Sequence, residues 1–121
     1  MSRFILIKRL VTATALALSL TSALVIAPVR ASPTSEAQKD LDQALALEKS
    51  GKIKDAMDHL KDAVSSDPDF LPARFELGLL YLRRGSARKA EVELEAVRAK
   101  GFDEEKIALP LIRAYLAQGK Y

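Results

Sequence analysis

The chain has 121 residues, enough for one small domain, and it contains no cysteine. The lack of cysteine excludes disulfides, thiolate metal sites, a cysteine nucleophile and lipidation through an N-terminal cysteine. The net charge of +3 comes from residues 1–31, which hold four basic side chains and no acidic one. Residues 32–121 hold 15 basic against 16 acidic side chains, so they show no nucleic-acid footprint, and we expect no nucleic-acid partner.

Residues 1–31 have the organisation of a Sec-type signal peptide. Basic residues near Arg9 precede an apolar stretch from Leu10 to Ile26, and Val29 and Ala31 stand at −3 and −1 of a cut after Ala31. We therefore expect a periplasmic or secreted protein that is not a lipoprotein. The alternative is an uncleaved anchor in the inner membrane, because the stretch approaches the ~18 residues that span a bilayer. Membrane contact would then occur only through this segment.

The remainder of the chain repeats with a period of 34 residues. Gly51, Gly85 and Gly119 keep this spacing. Residue size recurs at the same spacing. A small residue is followed 34 positions later by a small one, as in Ala56 and Ala90, and a large residue by a large one, as in Leu60 and Leu94. Small residues let two helix backbones approach closely, so Ala56 and Ala90 are predicted to be buried where helices cross. The period indicates helix–turn–helix units stacked into an all-α solenoid.

The predicted elements follow this period in chain order. A linker, 32–36, leads into a capping box that begins at Ser35. Ser86 is predicted to cap the fourth helix and Asp103 the fifth. Pro110 predicts either a kink near 106–110 or a helix start at Leu109, because proline removes a helical hydrogen bond. The predicted helices cover 36–50, 53–66, 71–84, 87–99 and 104–118, in repeat units 37–70, 71–104 and 105–121, the last being the first helix of an incomplete unit.

The run from Ala73 to Gly85, ARFELGLLYLRRG, resembles the first helix of a tetratricopeptide repeat (TPR). This resemblance to the TPR superfamily implies protein or peptide partners. The 34-residue period gives about two and a half repeats, and we expect no catalytic, cofactor or metal site. In this family the first helices of the units line the concave face of the superhelix. We call the residues at those positions the first-helix face: Leu41, Leu45, Lys49, Phe75, Leu79, Leu82, Arg83, Leu109, Arg113 and Leu116.

The predicted first-helix face is an apolar stripe edged by the cations Lys49, Arg83 and Arg113, suited to a peptide segment that carries carboxylates. The alternative is that some of its leucines simply pack against neighbouring helices.

A narrower resemblance links an export signal to the segments 45–63 and 100–121. Together they are similar to the start of the long TPR protein of exosortase and PEP-CTERM systems, which are associated with exopolysaccharides. This resemblance implies a scaffold in envelope protein sorting or exopolysaccharide assembly. Since members of that group are much longer, the alternative is an N-terminal fragment with no independent activity.

Few residues suggest chemistry. His59 is the only histidine, and its helical position predicts a solvated surface rather than a metal ligand or a general base. No phosphate-binding loop, nucleophile elbow or metal-ligand spacing is present, so we predict that the protein is not an enzyme. The helix at 105–118 is expected to expose Leu111, Ala114 and Tyr115, a stripe through which two copies could associate.

Overall fold

A computed structural model describes residues 34–120, which form helices and turns. Each helix packs against the next one in the chain, and α3 also contacts α1 and α5. The predicted signal peptide and residues 32 and 33 of the linker lie outside the described residues. None of the helices in 34–120 is long and apolar enough to cross a membrane. The helices are α1 (Ser35–Lys49), α2 (Ile53–Ser66), α3 (Leu71–Arg83), α4 (Ala87–Ala99) and α5 (Glu104–Leu116).

The helix starts confirm one predicted cap and correct two. Asp103 caps α5, since its side chain accepts a hydrogen bond from the Glu105 N–H at 3.1 Å. The capping box at Ser35 is wrong, because Thr34 takes the cap position and its Oγ1 accepts from the Ala37 N–H. Ser86 precedes α4 as predicted, but its side chain makes no capping hydrogen bond.

The first helix of each pair ends in the same turn. Gly51 and Gly85 have φ angles of 75° and 73°, which an L side chain rarely adopts. After each glycine, the next backbone N–H reaches back into the helix, from Lys52 to the Leu47 carbonyl and from Ser86 to the Tyr81 carbonyl. These bonds satisfy carbonyls that the helix end leaves free, and they explain why glycine recurs every 34 residues.

Pro110 lies inside α5, which runs from Glu104 to Leu116 without interruption in its assignment. The predicted start at Leu109 is therefore wrong. Because proline has no N–H, the carbonyl of Lys106 loses the helical hydrogen bond that residue 110 would donate.

Two apolar clusters form the core of the described residues. The first joins α1, α2 and α3, and the second joins α4 and α5; Tyr81 packs against both. Ala56 and Ala90 are fully buried, as predicted. Gly78 allows α4 to lie close to α3, because a Cβ at this position would be 3.0 Å from Leu94 Cδ2. The small residues of the repeat therefore set the distance between paired helices.

Candidate functional site

The three helices that carry the first-helix face lie side by side. α1 contributes Leu41, Leu45 and Lys49, α5 contributes Leu109, Arg113 and Leu116, and α3, which contacts both, stands between them. The fold therefore brings the predicted site residues onto neighbouring helices.

Several of the predicted apolar residues pack within the protein rather than line a free groove. Leu41 is buried in the first core cluster, and Leu45 is partly buried against it. Phe75 and Leu82 pack against the second cluster, where the Phe75 ring lies 5.0 Å from the Phe102 ring between centroids. These four side chains pack against other helices of the protein, as the packing alternative proposed.

The apolar surface that is left on the first-helix face belongs to α3 and α5. Leu79 is half-buried and belongs to neither core cluster. Leu109 and Leu116 keep 55% and 57% of their area exposed. A peptide segment placed on this face would gain most of its apolar contact from these three leucines.

The three predicted cations are not equivalent. Arg83 forms an ion pair with Glu48, which joins α3 to the end of α1. Lys49 and Arg113 are exposed, and neither forms an ion pair within residues 34–120. Two of the three cations are therefore available to carboxylates of a partner, whereas Arg83 already has one.

Two carboxylates of this surface were missed at the level of sequence. Glu48 stands 34 residues before Leu82, so the repeat period alone could have identified it. Glu76 is half-buried on α3, and this burial raises the pKa of its carboxyl group. The charge of Glu48 raises the pKa further, and Arg83 opposes both effects. Glu48, Glu76 and Arg83 therefore form a group of interacting charges that includes one cation of the first-helix face.

His59 is partly exposed on α2 and also has a partner on α1, so the prediction of a solvated helix surface is correct only in part. Its Nδ1 lies 3.0 Å from Asp40 Oδ1, joining α2 to α1. One repeat later, Arg74 Nη1 donates to Glu93 Oε2 at 3.1 Å, joining α3 to α4. The two pairs occupy equivalent repeat positions, with the acidic residue on the first helix in one pair and on the second helix in the other, so His59 has a structural partner. Residues 34–120 hold no group of three potential metal ligands.

The predicted exposed stripe on α5 is also corrected. Leu111 and Ala114 are buried against α4, and Tyr115 is partly buried. The Tyr115 hydroxyl donates a hydrogen bond to Glu95, and this bond raises the pKa of the phenol. The large apolar side chains that α5 does expose are Leu109, Ile112 and Leu116.

An open groove of about 670 Å³ lies away from the first-helix face, beside the start of α4 and the end of α5. Its walls include Tyr81, Lys89, Val92 and Gln118, and the Lys89 ammonium lies 5.7 Å from the centre of the Tyr81 ring. No predicted site residue lines it. Because it lacks a buried polar group aimed into it, we assign it no ligand.

Comparison with models of known protein families gives a match. A family model described as "Tetratricopeptide repeat" matches residues 47–109, from the end of α1 to the middle of α5. No curated protein and no solved structure matches the chain.

Proposed function

Because the chain belongs to the tetratricopeptide-repeat family, we propose that it is an exported scaffold that binds protein partners through its first-helix face. Repeats of this family are typically non-catalytic modules for protein–protein interaction. The all-helical architecture of residues 34–120 is consistent with such a repeat.

The observation that carries the proposal is that the first-helix face keeps accessible apolar area and two cations without an ion pair in the described residues. Leu109 and Leu116 are exposed and Leu79 is half-buried, and the cations are Lys49 and Arg113. This surface fits a peptide segment that combines apolar side chains with carboxylates. The segment need not be long, because the apolar area is confined to two neighbouring helices.

Site-directed photo-cross-linking tests this binding role. A photoreactive residue at position 79 is expected to capture a partner in the living cell. The matched control is position 65, where Ser65 is exposed on α2, a helix outside the first-helix face. Capture of the same partner with equal yield at both positions would contradict binding through this face.

Export is the second part of the proposal, and it rests on the pattern of residues 1–31. The basic head, the apolar stretch and the small residue Ala31 support cleavage before Ser32. Cell fractionation and N-terminal sequencing are expected to give an extracytoplasmic protein that begins at Ser32. Ala31→Glu should block this cleavage, because signal peptidase accepts only small side chains there. An exported protein that still begins at Met1 would favour the membrane-anchored alternative.

The third and most specific part of the proposal is the cellular process in which the scaffold acts. The narrower resemblance to TPR proteins of exosortase and PEP-CTERM systems supports a role in envelope protein sorting or exopolysaccharide assembly. The partner captured at position 79 tests this role, because it should be an envelope component of such a system. Capture of a partner from an unrelated process would remove the narrower role and leave the scaffold function in place.

A further inference from the structure

The two turns that join α1 to α2 and α3 to α4 carry an excess of positive charge. Four exposed cations lie on or directly after these turns, and none of them forms an ion pair within residues 34–120. Both turns contribute to one open cleft of about 380 Å³, where Asp55 is the acidic residue on the walls, beside three basic ones. We call the four cations the basic edge: Lys52, Arg84, Arg88 and Lys89.

Carboxylates of the described residues do not balance this charge. Residues 82–90 hold four basic side chains and no acidic one. Among these four, only Arg83 has an ion pair within the described part of the chain. Glu91 follows on α4, but its carboxylate already binds Lys120 and Gln118. The turn between α3 and α4 therefore keeps a positive charge that internal pairing does not remove.

The repeat does not need a cation at these positions. Arg84 corresponds to Ser50 one unit earlier, and Lys89 corresponds to Asp55. Both turns nevertheless have the same glycine and the same backbone hydrogen bonds back into the preceding helix. The turn therefore forms with a polar or an acidic residue where the basic edge has a basic one.

Helix stability does not explain the basic edge either. Arg88 and Lys89 stand in the first turn of α4, which has no acidic residue, and Lys52 is the residue before α2. The amino end of a helix carries the positive end of its dipole, so a cation there is unfavourable. Helix α5 shows the favourable pattern, because it begins with Glu104 and Glu105. Charges that oppose local stability in this way are a mark of a functional surface.

The family indicates the class of partner, and the charge indicates its chemistry. Tetratricopeptide repeats generally bind protein partners. Guanidinium and ammonium groups bind carboxylates, which an acidic protein segment presents. An anionic membrane fits less well. Residues 1–31 lead into the start of α1, whereas the basic edge lies beyond its end, about 22 Å away along a helix of 15 residues. A bilayer that held residues 1–31 would meet the start of α1 first.

We propose that the basic edge is a second docking surface, which binds a segment of a protein partner rich in aspartate or glutamate. The proposal rests on the proposed function in that the partner is a protein. This acidic segment is separate from the segment held on the first-helix face. The two surfaces meet at the end of α3, where Arg83 belongs to the face and Arg84 to the edge. Two linked contacts with one partner raise its affinity, because the second contact forms within the complex.

Fluorescence anisotropy of a labelled peptide tests the proposal on the full chain. The probe alternates glutamate with glycine over about ten residues, which spans two helix pairs when extended and gives the first-helix face no apolar side chain. Wild type is expected to bind it at about 20 mM salt and to release most of it at about 300 mM, because salt screens exposed charges. Arg84→Gln/Arg88→Gln should weaken binding about fivefold, the effect of two exposed ion pairs.

The matched control is Lys39→Gln/Lys61→Gln, which removes two exposed cations outside both surfaces and should bind the probe like wild type. Circular dichroism should show the same helix content in both double variants, because the replaced side chains are exposed. Equal affinities of the two double variants, or no binding by wild type at low salt, would overturn the proposal.

Two further measurements separate this proposal from the alternatives. Lys49→Gln/Arg113→Gln removes two cations of the first-helix face and should lose less affinity for the probe than Arg84→Gln/Arg88→Gln. The reverse order would overturn the basic edge and leave binding through the first-helix face in place. Vesicles of phosphatidylcholine and phosphatidylglycerol test the membrane. If they bound through the basic edge and the peptide did not, the assignment to an acidic protein segment would be wrong.

Discussion

Leu94 occupies the space that a side chain at Gly78 would need. Its Cγ and Cδ2 both lie 3.0 Å from the point where a Cβ on Gly78 would stand, and Leu94 is fully buried. This relationship fixes the distance between α3 and α4, and it explains why the repeat has a small residue at Ala44 and Gly78. It also distinguishes Ile112, which stands at the same repeat position on an open surface.

The first prediction concerns this contact. Gly78→Ala should gain about 1 kcal/mol of helix propensity, but overpacking against Leu94 should cost roughly 1–3 kcal/mol. We expect a net loss of stability in urea denaturation. In a Leu94→Ala background the space is free, so the same Gly78→Ala change should become stabilising. If Gly78→Ala changed the free energy of unfolding in the same direction in both backgrounds, Leu94 would not be the residue that limits the side-chain size at position 78.

The second prediction concerns the ion pair between α3 and α4. Arg74 and Glu93 are 19% and 18% exposed, so Glu93→Ala leaves a largely buried guanidinium without its carboxylate. We expect a loss of about 1–3 kcal/mol in the free energy of unfolding. Lys54→Ala is the control, since its ion pair with Asp58 is exposed and should not contribute measurably. If the two substitutions changed the free energy of unfolding equally, another group would have to pair with the Arg74 guanidinium in Glu93→Ala.

The third prediction concerns Pro110. Pro110→Ala restores the hydrogen bond from residue 110 to the Lys106 carbonyl and should stabilise the protein by about 1–2 kcal/mol, after the greater flexibility of the unfolded chain is subtracted. Pro72→Ala is the matched control, because Pro72 lies in the first turn of α3 where no N–H is needed. Thermal denaturation of both variants checks this. Equal stabilisation by the two would rule out the missing bond as the cause.

The fourth prediction concerns pH. Burial and the charge of Glu48 raise the pKa of Glu76 in the folded protein. Folding therefore favours protonated Glu76, and its contribution is lost as the pH rises through the folded pKa. Glu76→Gln should stabilise the protein at neutral pH, by no more than about 1 kcal/mol because Glu76 is half exposed. This gain should vanish below the pKa of an unperturbed glutamate. A gain that is constant with pH would exclude ionisation as its cause.

Local structure followed from the sequence where the repeat period and the turn chemistry agree. The bounds of α2 and α4 were predicted to the residue, because Ile53 and Ala87 follow glycine turns at the same spacing. The predicted cap at Ser35 was wrong, since Thr34 and Ser35 can both cap a helix and only the backbone geometry selects Thr34. Propensity alone does not distinguish them.

The first-helix face was harder to predict. A family's repeat positions indicate on which side of its helix a residue lies, but they do not indicate which other residues cover its side chain. Leu41 and Leu82 hold their repeat positions, yet neighbouring helices cover them in part or in full. The same reason explains α5, where α4 covers Leu111 and Ala114 and leaves Ile112 exposed. Helix α5 has two apolar sides, and packing between repeats decides which of them is buried. The sequence of one helix alone does not contain that information.

Under the proposed function, Lys49 and Arg113 hold carboxylates of a partner on the first-helix face. The most direct test is the affinity of the segment captured at position 79 for wild type and for Lys49→Glu/Arg113→Glu, measured by isothermal titration calorimetry at two salt concentrations. The expected result is a loss of at least about tenfold, or 1.4 kcal/mol, which shrinks at high salt. The control Lys54→Glu/Lys61→Glu reverses two exposed charges on α2 and should leave the affinity unchanged. Equal affinities of wild type and the Lys49→Glu/Arg113→Glu protein would contradict the claim.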